Sequence, residues 1–314
     1  MKIKISIPEH YPTADITQFA GIDNEDEFIF NGKTDYADAW FVIEGTLPGD
    51  NTCLVPDNRV FFLTAEVARP TDFFVRNANW SSYLKQFAGI YTPHELSWDN
   101  ATQTVPFLPW MINANHGPDM FARSDRDVEY LRALTSLDKT KEISVFCSTQ
   151  NLTADHVSRF QFVAALKHHF GNRLDWFGNG INPLQQKWDG LADYKYTIVL
   201  ENQSTPYVIT EKLQDAFLAL AFPIYWGAPQ ASEIFGQDSF ASINIKDLSS
   251  CIDSIEQLLE TDPYESKLPA LLKAKTVVTD DLNFILRVQQ ITRDQQAQPS
   301  LPTLKTIKPV SDFA

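Results

Sequence analysis

One stretch of the chain, residues 194–229, constrains the fold most strongly because it alternates strand and helix signals. The segments Tyr196 to Leu200 and Phe222 to Trp226 are apolar and β-prone, so each predicts a buried strand. Between them, Thr210 precedes apolar residues at helical spacing and is predicted to cap a helix. Short strands that alternate with helical segments favour an α/β fold.

Lys212 is the informative residue of this predicted helix because it falls in the first turn. A cation is mildly unfavourable there, by about 0.3–1 kcal/mol, since the N-terminus is the positive end of the helix dipole. Helix N-termini also bind phosphates. An anion such as a diphosphate at the same site would account for the lysine. A solvated surface lysine beside Glu211 accounts for it as well, and the residues alone leave both interpretations open.

The string LENQSTPYVITEKLQDAF, followed by PIYWGAP, resembles the donor-binding signature of the α1,3/α1,4-fucosyltransferases, glycosyltransferase family 10. The resemblance is close over this stretch and weaker across most of the chain. It implies an α/β fold of the GT-B type, with two Rossmann-like domains that face a central cleft. It also implies that the donor GDP-fucose binds in the C-terminal domain and that fucose is transferred with inversion.

Composition restricts the partners and the compartment. A net charge of −14 over 314 residues argues against nucleic acid or an anionic membrane surface as the main partner. An anionic ligand would therefore be held by a few placed cations. The three cysteines are widely spaced and odd in number, which predicts free thiols in a reducing compartment. No apolar run approaches ~20 residues. We expect a soluble, bacterial-type cytoplasmic protein without a transmembrane segment, while a peripheral membrane contact stays open.

The polar stretch DKTKE, residues 138–142, is predicted to separate two domains. Residues 1–140 are predicted to form an N-terminal, acceptor-side α/β domain, and residues 141–293 a C-terminal, donor-binding α/β domain. Residues 294–314 contain three prolines and little periodicity, so they are predicted to be a tail.

Two cations are assigned to the leaving diphosphate by the resemblance. The family uses an arginine early in a helix of the donor domain and the lysine of the TEK block, which match Arg159 and Lys212. Both are predicted as first-turn cations near helix N-termini. A surface arginine paired with Asp155 at i,i+4 is the alternative for Arg159. Two cations in place of a metal would agree with the lack of a convincing metal motif, so no cofactor is expected besides the donor substrate.

The donor's nucleoside is assigned to polar residues around the same helix. The resemblance places Glu211 on the ribose hydroxyls and Asn202, which offers both a donor and an acceptor, on the nucleoside. Glu201 and Asn202 end a strand that is predicted to face the cleft, where open α/β sheets bind ligands. Strand-end groups satisfied by nearby backbone are the alternative for both, and an acid favoured by the helix dipole is the alternative for Glu211. The family's tyrosine four positions before the lysine is Val208 here, so Tyr207 is a candidate through a shifted loop.

Glu66 is the predicted catalytic base. The segment RVFFLTAEVARP, residues 59–70, resembles the family's strand followed by a glutamate. Family members have one or two glutamates in this block. The position just before the family's Ser-Pro aligns with Ala68 in this chain. An ion pair with Arg69 or Arg59 is the alternative.

Taken together, these matches imply transfer of L-fucose from GDP-fucose to a hydroxyl of an oligosaccharide that contains N-acetylglucosamine or glucose, through an α1,3 or α1,4 linkage. Two alternatives remain open. One is a GT-B transferase that uses another nucleotide sugar. The other is a non-catalytic nucleotide-sugar-binding protein that has lost the base.

Overall fold

The computed structural model describes residues 1–8, 25–45, 47, 49, 51–65, 79–112, 126–150 and 154–313. The strands are β1 Lys2–Ser6, β2 Glu27–Phe30, β3 Ala39–Ile43, β4 Thr52–Pro56, β5 Val60–Leu63, β6 Gly89–Thr92, β7 Ala101–Gln103, β8 Lys141–Phe146, β9 Leu174–Phe177, β10 Tyr194–Leu200, β11 Phe222–Trp226, β12 Ala241–Ser242 and β13 Pro302–Thr306. The α-helices are α1 Trp80–Leu84, α2 Val128–Ala133, α3 Ala154–Phe170, α4 Glu211–Leu218, α5 Ala231–Phe235, α6 Leu248–Thr261, α7 Tyr264–Thr276 and α8 Phe284–Gln296.

The chain divides into two compact units. The first comprises Met1–Pro109 and Leu282–Ala314, and the second comprises Trp110–Asp281. These limits differ from the predicted domain limits at 140/141 and 293/294. The predicted limits concern domains that fold independently, and they stay a prediction. Two helices account for the difference: α2 groups with the second unit and α8 with the first.

Tertiary contacts explain both assignments. The Lys275 ammonium of α7 donates hydrogen bonds to the carbonyls of Leu131, Arg132 and Leu134, which ties α2 to the second unit. In α8, Phe284 and Ile285 are fully buried in the core beneath β1, β3 and β5. Neither contact is visible in local sequence patterns.

The first unit is built on a six-stranded sheet in the order β2-β1-β3-β5-β6-β7, and every neighbouring pair is parallel. Alternate residues of β3 enter opposite cores: Phe41 and Ile43 pack with α8, whereas Trp40 and Val42 pack with α1. Burial on both faces is the usual state of a parallel sheet, and it explains why these strands are continuous apolar runs.

The segment predicted as a tail, residues 294–314, contains regular structure. It begins with the end of α8, and β13 then pairs antiparallel with β4. Thr303 and Lys305 both contact the carboxylate of Asp57, and Ile307 and Val310 are buried in the core that contains α1. The buried side chains of Ile307 and Val310 anchor this segment, so it has regular structure although its composition predicts a tail.

The second unit contains a five-stranded, all-parallel sheet in the order β12-β11-β10-β8-β9. The chain goes from β8 outward to β9 and then returns to the other side of β8 with β10. The order therefore reverses between β8 and β10. In open α/β sheets such a reversal leaves a crevice at the carboxyl ends of the strands, where ligands bind.

Local predictions for the stretch 194–229 agree with the structure. The predicted strand Phe222 to Trp226 is β11, and the other predicted strand lies within β10. Thr210 caps α4, with its side chain accepting from the Lys212 N–H. Leu213 and Phe217 are fully buried on the inner face of that helix. None of the helices among the described residues is both long and apolar enough to cross a membrane.

Candidate functional site

A cavity of about 400 Å³ lies at the carboxyl edge of the second sheet, where the strand order reverses. Its walls include Cys147 after β8, Asn179 after β9 and Asn202 after β10. The volume falls within the range of about 300–1,000 Å³ that is usual for small-molecule sites. The topology therefore creates the cavity, and the residues that follow each strand determine its chemistry.

Gly178 allows the ends of β8 and β9 to meet at this edge. Its φ is 143°, and a Cβ at this position would lie 2.7 Å from the carbonyl oxygen of Cys147. The N–H of Cys147 donates to the carbonyl of Phe177 at 2.9 Å. A side chain at position 178 would separate these two strand ends, so glycine is required for the wall to form.

The structure brings together four of the predicted site residues. Arg159, Asn202, Glu211 and Lys212 all line the cavity, although they come from three different elements. Glu201 and Tyr207 do not line it, and Glu66 lies outside the described residues.

Lys212 is held by its neighbours at the start of α4. Its Nζ lies 3.4 Å from Glu211 Oε1 and 3.7 Å from Glu201 Oε2, and it donates to Thr210 Oγ1 at 3.0 Å. Burial would lower the pKa of Lys212, but the Glu211 and Glu201 carboxylates outweigh that effect and raise it. The lysine is therefore a charged, positioned group at the cavity and not a freely solvated one.

Glu201 was predicted to contact the donor, but the structure turns its carboxylate toward the helix cap. The side chain is fully buried, and its two oxygens accept from the backbone N–H and the hydroxyl of Thr210, both at 2.8 Å. Burial raises the pKa of Glu201, although the Lys212 ammonium opposes this. This geometry corresponds to the strand-end alternative, and Glu201 reaches the cavity only through Lys212.

Tyr207 occupies a tight turn in the loop before α4. Its φ is 61°, in the left-handed region that is uncommon for a tyrosine, and its carbonyl accepts from Ile209 N–H at 2.8 Å. Val208, the residue aligned with the family's tyrosine, is fully buried. Since the ring does not line the cavity, its contact with the donor stays a prediction.

Arg159 lies deeper in its helix than predicted. Because α3 begins at Ala154, Arg159 is in the second turn and not the first. Its guanidinium donates to the carbonyl oxygen of Leu200 at 3.0 Å, so it ties α3 to the end of β10. The Nε atom is buried and has no hydrogen-bond acceptor among the described residues. Burial lowers the pKa of Arg159. The surface pairing with Asp155 is not the observed arrangement.

Glu211 is the one carboxylate that lines the cavity in the part of the chain that the structure describes. Burial would raise its pKa, but the ammonium groups of Lys212 and Lys187 lower the pKa of Glu211 to about 2. His156 also lines the cavity, and burial together with the charges of Arg159 and Lys212 lowers its pKa. Glu211 is therefore ionised and His156 neutral near pH 7.

Sequence reasoning missed Lys187. It lines the cavity, and its Nζ lies 2.7 Å from Oδ2 of Asp215, a fully buried residue of α4. No motif contains Lys187, which lies in a short 3-10 turn. The one available signal was Asp215 itself, an acid between the buried positions Leu213 and Phe217, because a buried carboxylate needs a cationic partner.

The lining of the cavity is cationic although the chain is acidic. Within the described ranges, three cationic side chains, Arg159, Lys187 and Lys212, share the wall with one carboxylate, Glu211. Fixed cations in a partly desolvated cavity suit an anion with several oxygen atoms. Among the described residues, no group of three or more His, Cys, Asp or Glu residues could hold a metal ion.

The sequence comparisons match the segment that supplies most of the residues lining this cavity. Residues 137–267 match the family model of the C-terminal part of glycosyltransferase family 10 (fucosyltransferase). The α-(1,3)-fucosyltransferase FucT of Helicobacter pylori is 33% identical over 76 residues, which cover 24% of this chain and 16% of that protein. The match thus spans a small part of the length of this relative.

Solved structures show the same fold. A crystal structure of an α1,3-fucosyltransferase gives a TM-score of 0.52 at 19% identity, covering 85% of this chain and 80% of that one. An α1,3-fucosyltransferase with GDP gives 0.51 at 17% identity, covering 90% and 92%. HepE of Anabaena in complex with UDP and glucose gives 0.51 at 10% identity, covering 95% and 100%. The predicted α/β fold of the GT-B type is confirmed.

The family model and the cavity coincide in the second unit. The carboxyl ends of β8, β9 and β10, the helices α3 and α4, and Lys187 all lie within residues 137–267. The predicted resemblance is therefore confirmed for the segment that supplies this cavity: residues 137–267 match the C-terminal part of glycosyltransferase family 10.

Proposed function

We propose that this chain is an inverting glycosyltransferase that moves L-fucose from GDP-fucose to a hydroxyl of a glycan containing N-acetylglucosamine or glucose. The product carries an α1,3 or α1,4 linkage. One observation carries the proposal: Arg159, Lys212, Glu211 and Asn202 converge on one cavity of the family 10 domain. They come from α3, the end of β10 and the start of α4, so only the fold brings them together.

In this proposal the cations act on the leaving group. When the bond between fucose and the β-phosphate breaks, negative charge grows on the diphosphate and must be stabilised. Arg159 and Lys212 hold the β-phosphate, with Arg159 offering a planar set of donors and Lys212 a compact charge. The buried Nε of Arg159, which lacks an acceptor among the described residues, supports this role.

The proposed chemistry requires no metal because fixed cations neutralise the diphosphate. Transfer rates measured in EDTA should equal those in buffer alone. A loss of activity that added Mg²⁺ or Mn²⁺ restores would contradict this part of the proposal.

Glu211 and Asn202 hold the nucleoside. Since the pKa of Glu211 is lowered to about 2, its carboxylate is ionised and can accept hydrogen bonds from both ribose hydroxyls. Asn202, at the end of β10, can both donate to and accept from the nucleoside.

Glu66 supplies the base in this proposal. It takes the proton of the acceptor hydroxyl, whose oxygen then bonds to the anomeric carbon on the face opposite the departing diphosphate, so the configuration inverts. The two residues before it are anchored: the buried Glu44 carboxylate accepts from the Thr64 hydroxyl and the Ala65 N–H, both at 2.6 Å. This anchor supports a defined start for the segment that carries the base.

We further propose a cytoplasmic location, with a nucleotide sugar and an oligosaccharide as partners. The three cysteines are buried and free, as expected in a reducing compartment. A net charge of −14 disfavours nucleic acid as a partner.

Calorimetric titration tests the donor assignment. GDP-fucose should bind to the full chain, while GDP-mannose, UDP-galactose and UDP-N-acetylglucosamine should bind more weakly or not at all. Preferential binding of a uridine sugar would favour a transferase of the same fold with another donor. Absence of binding by all four would contradict the proposal.

A further inference from the structure

Lys187 is a third cation at the cavity, and none of the roles proposed above uses it. The residue is 9% exposed, and its Nζ donates to Asp215 Oδ2 at 2.7 Å. An ammonium group has three N–H donors. No second hydrogen-bond acceptor for Nζ is found among the described residues, so donors remain for a ligand in the cavity that the residue lines.

The contact with Asp215 accounts for the position of the Lys187 ammonium group at the cavity wall. The Asp215 carboxylate is fully buried in α4, one helical turn after Glu211. It accepts from Lys187 Nζ and, at 3.3 Å, from the backbone N–H of Met111, a second residue that lines the cavity. A buried carboxylate is costly unless its partners repay its desolvation. Asp215 therefore holds one wall of the cavity in position.

The same arrangement recurs at the other lysine. Behind Lys212 lies the fully buried carboxylate of Glu201, and behind Lys187 lies the fully buried carboxylate of Asp215. In both pairs the cation lines the cavity and the carboxylate does not. Each buried carboxylate restrains a flexible lysine side chain in advance, which reduces the entropy lost when a ligand binds.

We infer that Lys187 binds the diphosphate of the donor as a third cation, and that Asp215 is the positioning residue that presents it. This inference rests on the proposed nucleotide-sugar function of the same cavity and extends it. Part of the donor set of Arg159 and Lys212 is already used by Leu200, Thr210 and Glu211, and the negative charge on a diphosphate increases as the sugar leaves. Lys187 adds a compact charge with free donors at the same cavity.

Nucleotides that differ in one phosphate test the contact. With the full chain, Lys187→Met should weaken GDP binding at least tenfold in calorimetry and weaken GMP binding less. Lys187→Arg should retain most of the GDP affinity because it keeps the charge. Lys246→Met, which removes an exposed lysine of the same unit, is the matched control and should leave GDP affinity unchanged.

A double variant separates the ligand contact from a structural role. Lys187→Met alone leaves the Asp215 carboxylate buried without its cation, so part of its effect could come from a distorted wall. Lys187→Met combined with Asp215→Leu removes both charges and should recover thermal stability, because an apolar pair can replace a buried ion pair. We expect GDP affinity to stay reduced at least tenfold in this double variant.

The outcomes that overturn the inference differ from those that overturn the proposed function. Recovery of GDP affinity in the double variant, or equal losses for GDP, GMP and guanosine in Lys187→Met, would contradict a diphosphate contact. If the wild-type chain binds UDP and not GDP, the guanine assignment fails, and UDP with UMP then tests Lys187 in the same way. If the wild-type chain binds neither diphosphate, both proposals fail.

Discussion

The two parallel sheets share the strand order around their reversal but differ in the residues at their carboxyl edges. In the first sheet the chain goes from β1 out to β2 and back to β3, and in the second it goes from β8 out to β9 and back to β10. The backbone alone thus predicts a crevice at the reversal in each unit. At the second reversal, the described residues include three cations around a cavity, Arg159, Lys187 and Lys212.

Among the described residues of the first edge, a buried carboxylate follows β3. Glu44 follows β3 with a φ of 56°, is buried, and accepts from Thr64 and Ala65 at the end of β5. Glu66, the proposed base, comes directly after these two residues. The shared topology creates a crevice at the carboxyl edge of each sheet. In the proposed function, the charge of the residues after each strand determines the role of that crevice: cations bind a phosphate, and a carboxylate accepts a proton.

Removing the proposed base should have the largest effect. Glu66→Gln keeps the shape of the side chain but removes its ability to take a proton, so the rate of transfer should fall by about 10²–10⁴. Affinity for GDP-fucose, measured by calorimetry, should change little. An unchanged rate with N-acetyllactosamine or lactose as acceptor would assign the base to another residue.

Removing a cation from the second edge should act on both binding and rate. Lys212→Ala should weaken GDP-fucose binding and slow transfer by about 10²–10³, the usual cost of losing one group that stabilises developing charge. Lys246→Ala is the matched control. Unaltered kinetics in Lys212→Ala would contradict the phosphate role of this lysine.

Weakening the anchor at the first edge should have a smaller effect. Glu44→Gln retains one acceptor oxygen and loses the charge, so the Thr64 and Ala65 donors are poorly satisfied. We expect the free energy of unfolding to fall by about 1–3 kcal/mol. Thermal unfolding measures this loss, and GDP-fucose affinity should remain near the wild-type value. A loss of donor affinity without a loss of stability would contradict the separate roles of the two edges.

The pH dependence of stability should reveal Asp215. Burial raises the pKa of Asp215 to about 6, although Lys187 opposes the shift. The folded state therefore binds the proton more tightly than the unfolded state. The contribution of this group to the free energy of unfolding then falls as pH rises from about 4 to about 6, by at most about 1.4 kcal/mol per pH unit. Denaturant unfolding should show a smaller loss of stability with rising pH in Asp215→Asn than in the wild type, because Glu201 titrates in both proteins and Asp215 only in the wild type. The same slope in both proteins would contradict the assignment.

Local signals in the sequence predicted the elements around α4 well. Thr210 caps the helix and β11 has the predicted limits because capping and short apolar runs depend on neighbouring residues only. The family resemblance then identified Arg159, Asn202, Glu211 and Lys212, all of which the structure brings to one cavity.

Interactions between distant residues account for what was not predicted. The loop before α4 brings Thr210 back to Glu201, so this carboxylate serves the helix cap and not the cavity. Lys187 meets Asp215 across 28 positions of sequence, and no periodicity records that contact. The grouping of α8 with the first unit likewise depends on packing between remote segments.

A crystal structure of the chain with GDP would test the central claim most directly. It should show the diphosphate in the cavity at the β8/β10 reversal, within hydrogen-bond distance of Arg159, Lys212 and Lys187, with the ribose against Glu211. A diphosphate bound elsewhere, or bound in the cavity while these three cations contact only protein groups, would contradict it.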